Sequence, residues 1–403
     1  MHADLLKPEI QKFIHQHESD DERAIVLGQK SIHGVPSALI ADQIAGRRKA
    51  REKLPTYFQA KDILYPPGVN LEQTSSEKTA RYKADIILRQ RAGHLSLTDL
   101  TGGLGVDTFF LSRIFERTVY VERDPLLLAL AQHNHKVLGA DNITYQNASA
   151  EAFLQGMSEK ADWVFIDPSR RTTASTKAVR LADCEPDVAR LQSAILAKSD
   201  FLLIKASPLL DIRQGLGELS HVKEVYVISV DNECKELLFL CRTGFEGEPQ
   251  IVAVHLQPSG PSEFRFTLSE EKRAVSVFSQ PLRYLYEPNT SLTKAGAFRI
   301  TGSRYALFKI HPSTHLYTST ELLSDFPGRI FEIRDIIKSD SGAAARAFPD
   351  KKANVITRNY PLSSHELKKK LKLKDGSENY LLAFSGQAAK YLCVTTRVSD
   401  VRY

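Results

Sequence analysis

Long apolar stretches are missing from this sequence of 403 residues. No segment reaches the roughly 18 consecutive apolar residues that a membrane-spanning helix needs. The first residues, Met1 to Pro8, also lack the basic segment and apolar core of a secretory signal. These absences predict a protein that does not enter a membrane and that lies in the cytoplasm.

Cysteine is scarce, with only Cys184, Cys234, Cys241 and Cys393. No two of them have the Cys-x-x-Cys spacing of a redox or metal site. Buried thiols without disulfides are therefore expected, and no metal ion is predicted.

Most of the chain has no excess of positive or negative charge, but its C-terminal segment has an excess of positive charge. Residues 327–403 contain 15 Lys and Arg against 8 Asp and Glu, whereas the whole chain has 54 and 48. The C-terminal segment thus carries +7 and the remainder −1. Such a localised excess fits a module that binds a polyanion. The content of 42% hydrophobic and 25% charged residues is typical of globular proteins, and the length predicts two to four domains.

A glycine-rich loop is the strongest motif of the sequence. A short strand is predicted to end at Asp99, and a helix is predicted to begin near Val106, with Gly102, Gly103 and Gly105 between them. Glycine permits positive φ angles and close approach of a ligand to the backbone. The N-terminus of the helix then presents free N–H groups to that ligand. The loop therefore predicts a nucleotide-like ligand.

The residues around the loop distinguish between nucleotide cofactors. A second apolar run ends at Glu122, where a carboxylate can accept hydrogen bonds from both ribose hydroxyls. Thr108 occupies the third glycine position of the dinucleotide fingerprint, so the NAD motif is incomplete. Asp99 would repel a pyrophosphate but could hold a cationic amino-acid group. This combination favours S-adenosylmethionine.

These motifs resemble those of class I S-adenosylmethionine-dependent methyltransferases. Their first motif is an acidic residue, three residues and Gly-x-Gly, matched here by Asp99, Gly103 and Gly105. The resemblance covers about residues 93–245 and implies a Rossmann-like parallel sheet whose last strand is antiparallel. It implies cofactor contacts from six residues at the strand ends: Asp99, Thr101, Gly103, Gly105, Glu122 and Asn147, the last of these to the adenine.

A second motif follows the predicted strand at residues 161–166. Asp167, Pro168, Ser169 and Arg170 resemble the Asp/Asn-Pro-Pro-aromatic motif of methyltransferases that modify base amino groups. The resemblance implies that Asp167 and the Pro168 carbonyl bind the amine. Stacking on the base would come from the Arg170 guanidinium instead of an aromatic ring. The structural alternative is a turn with solvated arginines.

The next predicted strand, residues 201–204, is followed by Lys205. Uracil-C5 methyltransferases carry Asp-Pro-Pro-Arg, which differs from residues 167–170 at one position, but they need a cysteine nucleophile after this strand. Residues 205–208 read Lys-Ala-Ser-Pro, so the covalent C5 mechanism is disfavoured. Lys205 could act as a base or pair with a carboxylate such as Asp167, and we favour pairing.

Residues 1–92 are predicted to form a helical subdomain. A helix is expected just before the first strand, because Thr74 and Glu77 have capping-box spacing. Gln73 and Ser75 then either serve the helix start or contact the substrate. The basic run at residues 47–53 is either a solvated helix face or a contact to nucleic-acid phosphates.

The C-terminal part is predicted to contain two small α+β domains. Residues 246–325 resemble a ferredoxin-like module with a preceding hairpin. Residues 326–403, with strands around a lysine-rich helix at 368–374, resemble THUMP-type RNA-binding domains. These lysines either bind phosphates or form a solvated face.

The sequence as a whole predicts an α/β enzyme that methylates a base amino group or ring nitrogen in tRNA or rRNA. One alternative is a catalytically silent RNA-binding protein with a relic cofactor fold. Another is a methyltransferase for a protein or small molecule. A nicotinamide-dependent dehydrogenase is less favoured because of Asp99 and Thr108. The sequence makes no prediction of oligomeric state.

Overall fold

The chain forms two compact units in the computed structural model. The model describes residues 3–66, 71, 73–90, 94–170, 180–376 and 378–398. Unit one comprises Met1–Val225 and Glu236–Gly247, and unit two comprises Tyr226–Lys235 and Glu248–Tyr403. Within the described residues, no helix combines the length and apolar character needed to cross a membrane.

Unit one begins with the expected helices. They are α1 (Pro8–Gln16), α2 (Glu22–Gly28), α3 (Ser37–Lys53), α4 (Pro55–Gln59) and α5 (Glu77–Arg89), with a small hairpin of β1 (Ser31–Ile32) and β2 (Val35–Pro36) after α2. The hairpin was not expected from the sequence. Ile10 and Ile14 of α1 pack against Ile40 and Ile44 of α3, and this contact forms a core of its own.

The start of α5 differs from the prediction. The N-cap is Ser76, whose Oγ accepts a hydrogen bond from Thr79 N at 3.2 Å. Thr74 therefore does not cap the helix. Glu77 instead accepts hydrogen bonds from the N–H and hydroxyl of Thr56, both at 2.8 Å, and so connects α5 to α4.

A mostly parallel sheet follows, with helices between its strands. The elements of this part of the chain are β3 (Ser96–Asp99), α6 (Val106–Ser112), β4 (Arg117–Glu122), α7 (Pro125–Val137), β5 (Ile143–Asn147), α8 (Ala150–Gly156), β6 (Ala161–Ile166), β7 (Ser169–Arg170), β8 (Cys184–Glu185), α9 (Val188–Ala197), β9 (Ser199–Ala206), α10 (Ile212–Glu218), β10 (Val222–Val230) and β11 (Glu233–Arg242). Of these strands, β7 and β8 form a separate two-stranded sheet.

The strand order places the predicted functional residues together at the carboxyl ends of the strands. Neighbouring strands run β11-β9-β6-β3-β4-β5, all parallel except for β11, which is antiparallel to β9. The predicted parallel sheet with an antiparallel last strand is confirmed. Ligands of such sheets bind beyond the carboxyl ends of the strands, and Asp99, Glu122, Asn147, Asp167 and Lys205 all lie at those ends.

The strands β6 and β9 form the centre of this sheet. Trp163 and Phe201 stack with ring centroids 4.4 Å apart, and Val164 and Leu202 beside them are fully buried. Strands covered on both faces have such continuous apolar runs. This rigid centre holds the ends of β6 and β9 at a fixed spacing.

Unit two contains a hairpin and a second sheet. Its elements are β12 (Gln250–Gln257), β13 (Gly260–Thr267), α11 (Leu268–Arg273), β14 (Tyr284–Pro288), α12 (Thr290–Ala295), α13 (Arg299–Arg304), β15 (Phe308–His311), β16 (Thr314–Ser319), β17 (Gly328–Ile336), α14 (Ser341–Ala347), β18 (Asn354–Arg358), α15 (Ser364–Leu371), β19 (Asn379–Ser385) and β20 (Lys390–Arg397).

The second sheet curls strongly. Its order is β15-β16-β14-β17-β20-β19-β18, so β16 and β19 are not neighbours. Thr314 at the start of β16 nevertheless donates its hydroxyl hydrogen to Ser385 O at 2.6 Å, and Asn359 donates to Thr314 Oγ1 at 3.1 Å. The inside of the curl is an apolar core that includes Phe331 and Phe384. The curled sheet therefore provides a closed core for the C-terminal domains.

Candidate active site

The glycine loop joins β3 to α6 with a backbone that glycine alone adopts easily. Gly103 and Gly105 have φ angles of +56° and +73°. A Cβ atom at Gly105 would lie 2.4 Å from His135 Nε2, and this nitrogen donates a hydrogen bond to Gly105 O at 2.8 Å. Burial lowers the pKa of His135 to about 4, so the imidazole is neutral at physiological pH. The loop is therefore held against α7 by a neutral donor.

Tyr120 packs against the glycine loop at Gly102 and leaves the space beside Gly103 open. Its hydroxyl donates to Gly103 O at 2.6 Å, and its ring lies where a Cβ of Gly102 would be, at 2.1 Å. A Cβ at Gly103 would meet only Thr101 O, at 3.8 Å. At Gly103 the loop thus has open space beside its backbone, as a nucleoside-binding loop requires.

Asp99 is 1% exposed, and both its carboxylate oxygens are engaged within the loop. Oδ1 accepts from Thr101 N at 3.0 Å, and Oδ2 accepts from the Thr108 hydroxyl at 2.5 Å. Thr108 thus supports Asp99 at the position where a dinucleotide site would have glycine. Burial raises the pKa of Asp99 to about 7, although these hydrogen bonds oppose the shift. Its direct contact with the cofactor stays a prediction.

Glu122 joins the glycine loop to the loop that follows its own strand, β4. Its Oε2 accepts from Gly103 N and its Oε1 accepts from Asp124 N, both at 2.8 Å. Asn147 donates from Nδ2 to Glu122 O at 2.8 Å and to Arg123 O at 3.1 Å. The Glu122 carboxylate keeps further lone pairs for ribose hydroxyls. For Asn147, the structure shows support of the Glu122 loop, and its contact with adenine stays a prediction.

Asp167 lies between the glycine loop and Lys205. Its N–H donates to Thr101 Oγ1 at 2.6 Å, and its Oδ2 accepts from Lys205 Nζ at 2.5 Å. The pairing of Lys205 with Asp167, favoured from the sequence, is confirmed. The Asp167 side chain is 35% exposed, whereas the Lys205 side chain is 11% exposed. The carboxylate therefore faces the site while the ammonium group supports it from inside.

The charge of Lys205 is fixed by its surroundings. Burial alone would lower the pKa of Lys205, but the carboxylates of Asp167, Asp107 and Glu236 outweigh burial and raise it. Lys205 is thus protonated throughout the physiological range. A protonated lysine donates hydrogen bonds and cannot serve as a base.

Sequence reasoning missed a buried charge cluster beneath this pair. Lys83 on α5 is fully buried, and its Nζ lies 3.0 Å from Asp107 Oδ1 and 2.7 Å from Glu236 Oε1. Ser75 donates to Asp107 Oδ2 at 2.6 Å, so the structure gives it a role inside the fold. The sequence contained one sign that Lys83 is buried. Lys83 follows Ala80 by three residues and therefore lies on the apolar face of α5.

The remaining predicted residues belong to a short insertion after β6. Arg170 lies in β7 and pairs with Cys184 of β8, while its side chain lies outside the described part of the structure. Pro168 is half-buried between Asp167 and this pair of strands. Glu185 forms an ion pair with Arg123, the residue after Glu122. This ion pair joins the insertion to the loop that follows β4.

The basic run on α3 is engaged in contacts within unit one. Arg48 pairs with Glu22, Arg51 donates to Glu18 at 2.8 Å, and the Arg47 guanidinium lies 4.4 Å from the ring centroid of Phe58. These contacts favour the structural interpretation of the run.

Two family models match the C-terminal part of the chain. A ferredoxin-like domain model matches residues 284–327, and a THUMP domain-like model matches residues 328–397. These matches confirm the ferredoxin-like and THUMP-like assignments. The division of the chain into four domains stays a prediction.

Known proteins resemble the whole chain and its parts. The crystal structure of a candidate methyltransferase from Porphyromonas gingivalis W83 superposes with a TM-score of 0.86, at 30% identity, covering 99% of both chains. An uncharacterized S-adenosylmethionine-dependent methyltransferase of Mycobacterium tuberculosis H37Rv is 23% identical over 307 residues, 75% of this chain and 80% of that protein. The 23S rRNA (uracil(1939)-C(5))-methyltransferase RlmD of Aeromonas salmonicida is 30% identical over 133 residues, 30% of each chain. These similarities confirm the fold and the family that the sequence motifs predicted.

Proposed function

The chain belongs to the S-adenosylmethionine-dependent methyltransferase family that includes the Porphyromonas gingivalis protein, and on this premise we propose that it methylates a nitrogen atom of an RNA base. The residues proposed to act are Asp167 at the acceptor and the glycine loop with Glu122 at the cofactor. The oriented, half-exposed carboxylate of Asp167 is the observation that carries the proposal.

Asp167 has the geometry of an acceptor for an N–H group. Its Oδ2 is occupied by Lys205, whereas no described residue donates a hydrogen bond to Oδ1. The paired ammonium group fixes the rotamer of the carboxylate and balances its charge. Oδ1 is thereby left to accept a hydrogen from an amino group or protonated ring nitrogen.

The open side of the glycine loop fits a nucleoside, and the Glu122 carboxylate lies where ribose hydroxyls would donate. Asp99, Thr101, Gly103, Gly105 and Glu122 are the proposed cofactor residues. Bound S-adenosylmethionine supplies a methyl group on a positively charged sulfur, an electrophile that needs no further activation. Positioning of the acceptor then accounts for most of the rate.

The acceptor side performs two tasks in this proposal. Asp167 Oδ1 accepts the N–H of the base and so aims the nitrogen lone pair at the methyl carbon. Once the nitrogen has received the methyl group that bound S-adenosylmethionine would supply, Asp167 would take up the proton that the nitrogen releases. Because Asp167 is partly exposed, it passes that proton to water.

RNA is the proposed substrate because of the C-terminal segment. The THUMP domain-like model covers residues 328–397, and residues 327–403 carry a net charge of +7. A basic segment of this kind binds phosphates in a salt-dependent manner. The similarity to an rRNA methyltransferase supports the same substrate class.

A nitrogen acceptor is favoured over uracil C5, the atom in the name of the Aeromonas salmonicida relative. Methylation at C5 requires a nucleophile that first adds to the pyrimidine ring. Residues 205–208, at the strand end that would provide it, contain no cysteine. Cys184 beside Arg170 is 7% exposed, and its thiol donates to Arg180 O. Neither position offers an accessible thiolate.

The test is transfer of a radiolabelled methyl group from S-adenosylmethionine to total RNA. Asp167→Ala should reduce transfer by at least about 100-fold, since a positioned acid or base contributes about that much. Binding of S-adenosylmethionine should stay nearly unchanged. The control is Asp200→Ala, because Asp200 also pairs with a lysine, Lys160, but lies at the opposite end of β9.

Three results would contradict the proposal. Transfer that survives Asp167→Ala would remove Asp167 from the reaction. RNA binding by the wild-type chain without any transfer would favour a silent RNA-binding protein with a relic cofactor fold. Methylation of protein or a small molecule, with RNA binding that hardly depends on salt, would favour another substrate class.

A further inference from the structure

A line of charged side chains runs from the interior of unit one to the proposed acceptor. It consists of Lys83, Asp107, Lys205 and Asp167, here called the charge line. Lys83 is fully buried at one end, and Asp167 is 35% exposed at the other. Buried ion pairs contribute little net stability compared with apolar side chains of the same shape. A line that ends at a reactive carboxylate therefore calls for a functional explanation.

Asp107 lies between the two lysines of the charge line. Lys83 Nζ donates to its Oδ1 at 3.0 Å, and Lys205 Nζ lies 3.9 Å from its Oδ2. Ser75 donates to the same Oδ2 at 2.6 Å and accepts from Lys83 Nζ at 3.0 Å. Asp107 is also the second residue of α6, directly after the glycine loop, where a helix N-terminus favours a carboxylate.

Two ammonium groups that contact the same carboxylate inside a protein are close enough to repel each other, and the negative charge between them offsets this repulsion. The Asp107 carboxylate occupies that position. Burial would raise the pKa of Asp107, but Lys83 and Lys205 outweigh burial and lower it, so the carboxylate is ionised. Without this charge, repulsion from Lys83 would push Lys205 away, and Asp167 would lose its fixed partner.

We propose that Asp107 is a positioning residue for methyl transfer, which acts through Lys205 by separating the ammonium groups of Lys83 and Lys205. This inference rests on the proposed function of Asp167. Asp107 itself touches neither the acceptor nor the methyl group in this account. Its effect is on the orientation of the Asp167 carboxylate.

Glu236 provides a matched control within the same cluster. It also pairs with Lys83, at 2.7 Å, and like Asp107 it is buried. No ion pair joins it to Lys205 among the described residues. Burial raises the pKa of Glu236, although the positive charges of Lys83 and Lys205 oppose the shift. A Gln at position 236 leaves Asp107 between the two lysines and keeps both ion pairs of Lys205, so it should disturb Lys205 less than Asp107→Asn does.

The experiment compares kcat, the KM for RNA and the affinity for S-adenosylmethionine in the full-length chain. Asp107→Asn should lower kcat by at least about tenfold, which is about 1.4 kcal/mol of transition-state stabilisation. The KM and the cofactor affinity should change little. Glu236→Gln should lower kcat by clearly less than Asp107→Asn does, because it breaks no ion pair of Lys205.

The double variant Lys83→Met with Asp107→Asn tests the repulsion directly. It removes the buried ammonium group together with the carboxylate that shields Lys205 from it. We expect kcat to recover most of the loss, even if Asp107→Asn alone folds poorly. A merely structural role of Asp107 predicts instead that the double variant is at least as impaired as the single one.

The outcomes separate this inference from the proposed function. Full activity of Asp107→Asn, loss of cofactor binding in that variant, or a folded double variant without activity would each overturn the inference. An active Asp167→Ala would overturn the proposed function itself. Inactive Asp167→Ala together with active Asp107→Asn would reject only the role of Asp107.

Discussion

At the scale of single residues, the proposed cofactor site includes a carboxyl group with an unusual titration range. Burial raises the pKa of Asp99 to about 7, so a large fraction of this group is protonated near neutral pH. A cation bound beside it favours the ionised form. Binding of the cofactor should therefore release a proton from Asp99.

We predict that the affinity for S-adenosylmethionine rises from about pH 5.5 to about pH 7.5, because Asp99 ionises over this range. The affinity rises with pH, and does not fall, because the ammonium group of the ligand binds the ionised carboxylate better than the neutral one. Calorimetric titration across this range measures the effect. In Asp99→Asn the same slope should be absent, and an unchanged slope in that variant would mean that Asp99 only supports the loop.

Gly105 gives a prediction about the loop itself. Gly105→Ala should lower the free energy of unfolding by clearly more than Gly139→Ala, measured by urea unfolding. Both glycines have left-handed backbones, with φ of +73° and +72°, so both substitutions incur about 1–2 kcal/mol of strain. Only at Gly105 would the new methyl group meet the His135 ring, at 2.4 Å. Equal effects would show that the contact with α7 is unimportant.

At the scale of elements, strands and helices around the glycine loop followed from local signals. The apolar runs ending at Asp99 and Glu122 and the loop glycines fixed β3, α6 and β4, because such patterns belong to one kind of turn. The position of Asp167 at the end of β6 followed from the apolar run before it, and its pairing with Lys205 followed from the need of a buried lysine for a carboxylate.

Other features depend on contacts between distant residues and left little trace in the sequence. Thr314 and Ser385 close the curled sheet although 71 positions separate them. Lys83 contacts Glu236 across 153 positions, and a lone lysine in a helix is ordinarily solvated. Such partners are chosen by packing and not by local pattern.

The beginning of α5 gives a prediction at this scale. Ser76→Ala should lower the free energy of unfolding by about 1 kcal/mol, because it removes the side-chain acceptor at the helix N-terminus. Thr74→Ala should have a much smaller effect, since Thr74 precedes the cap. Thermal or urea unfolding of both variants decides between the two caps. A larger effect at Thr74 would restore the capping box expected from the sequence.

At the scale of the whole molecule, positive charge is concentrated at one end of the chain, and two basic segments differ in how that charge is used. The arginines of α3 pair with Glu18 and Glu22, whereas Lys369 and Lys374 near α15 are exposed. The second segment is therefore the better candidate for contacts to RNA phosphates.

The double variant Lys369→Ala with Lys374→Ala should weaken RNA binding and reduce its salt dependence. Each lost phosphate contact should reduce the log–log slope by about 0.7 for single-stranded RNA. Arg48→Ala with Arg51→Ala removes the same charge from α3 and should leave the slope unchanged. Filter binding over a range of salt concentrations measures both. The opposite result would assign the phosphate contacts to the N-terminal helices.

The most direct test of the account is the chemical identity of the methylated product. The wild-type chain would be incubated with total RNA and S-adenosylmethionine carrying a deuterated methyl group, and the digested nucleosides would be analysed by mass spectrometry. The account predicts a labelled nucleoside methylated on nitrogen, absent with Asp167→Ala. Label in C5-methyluridine, or label that persists with Asp167→Ala, would contradict it.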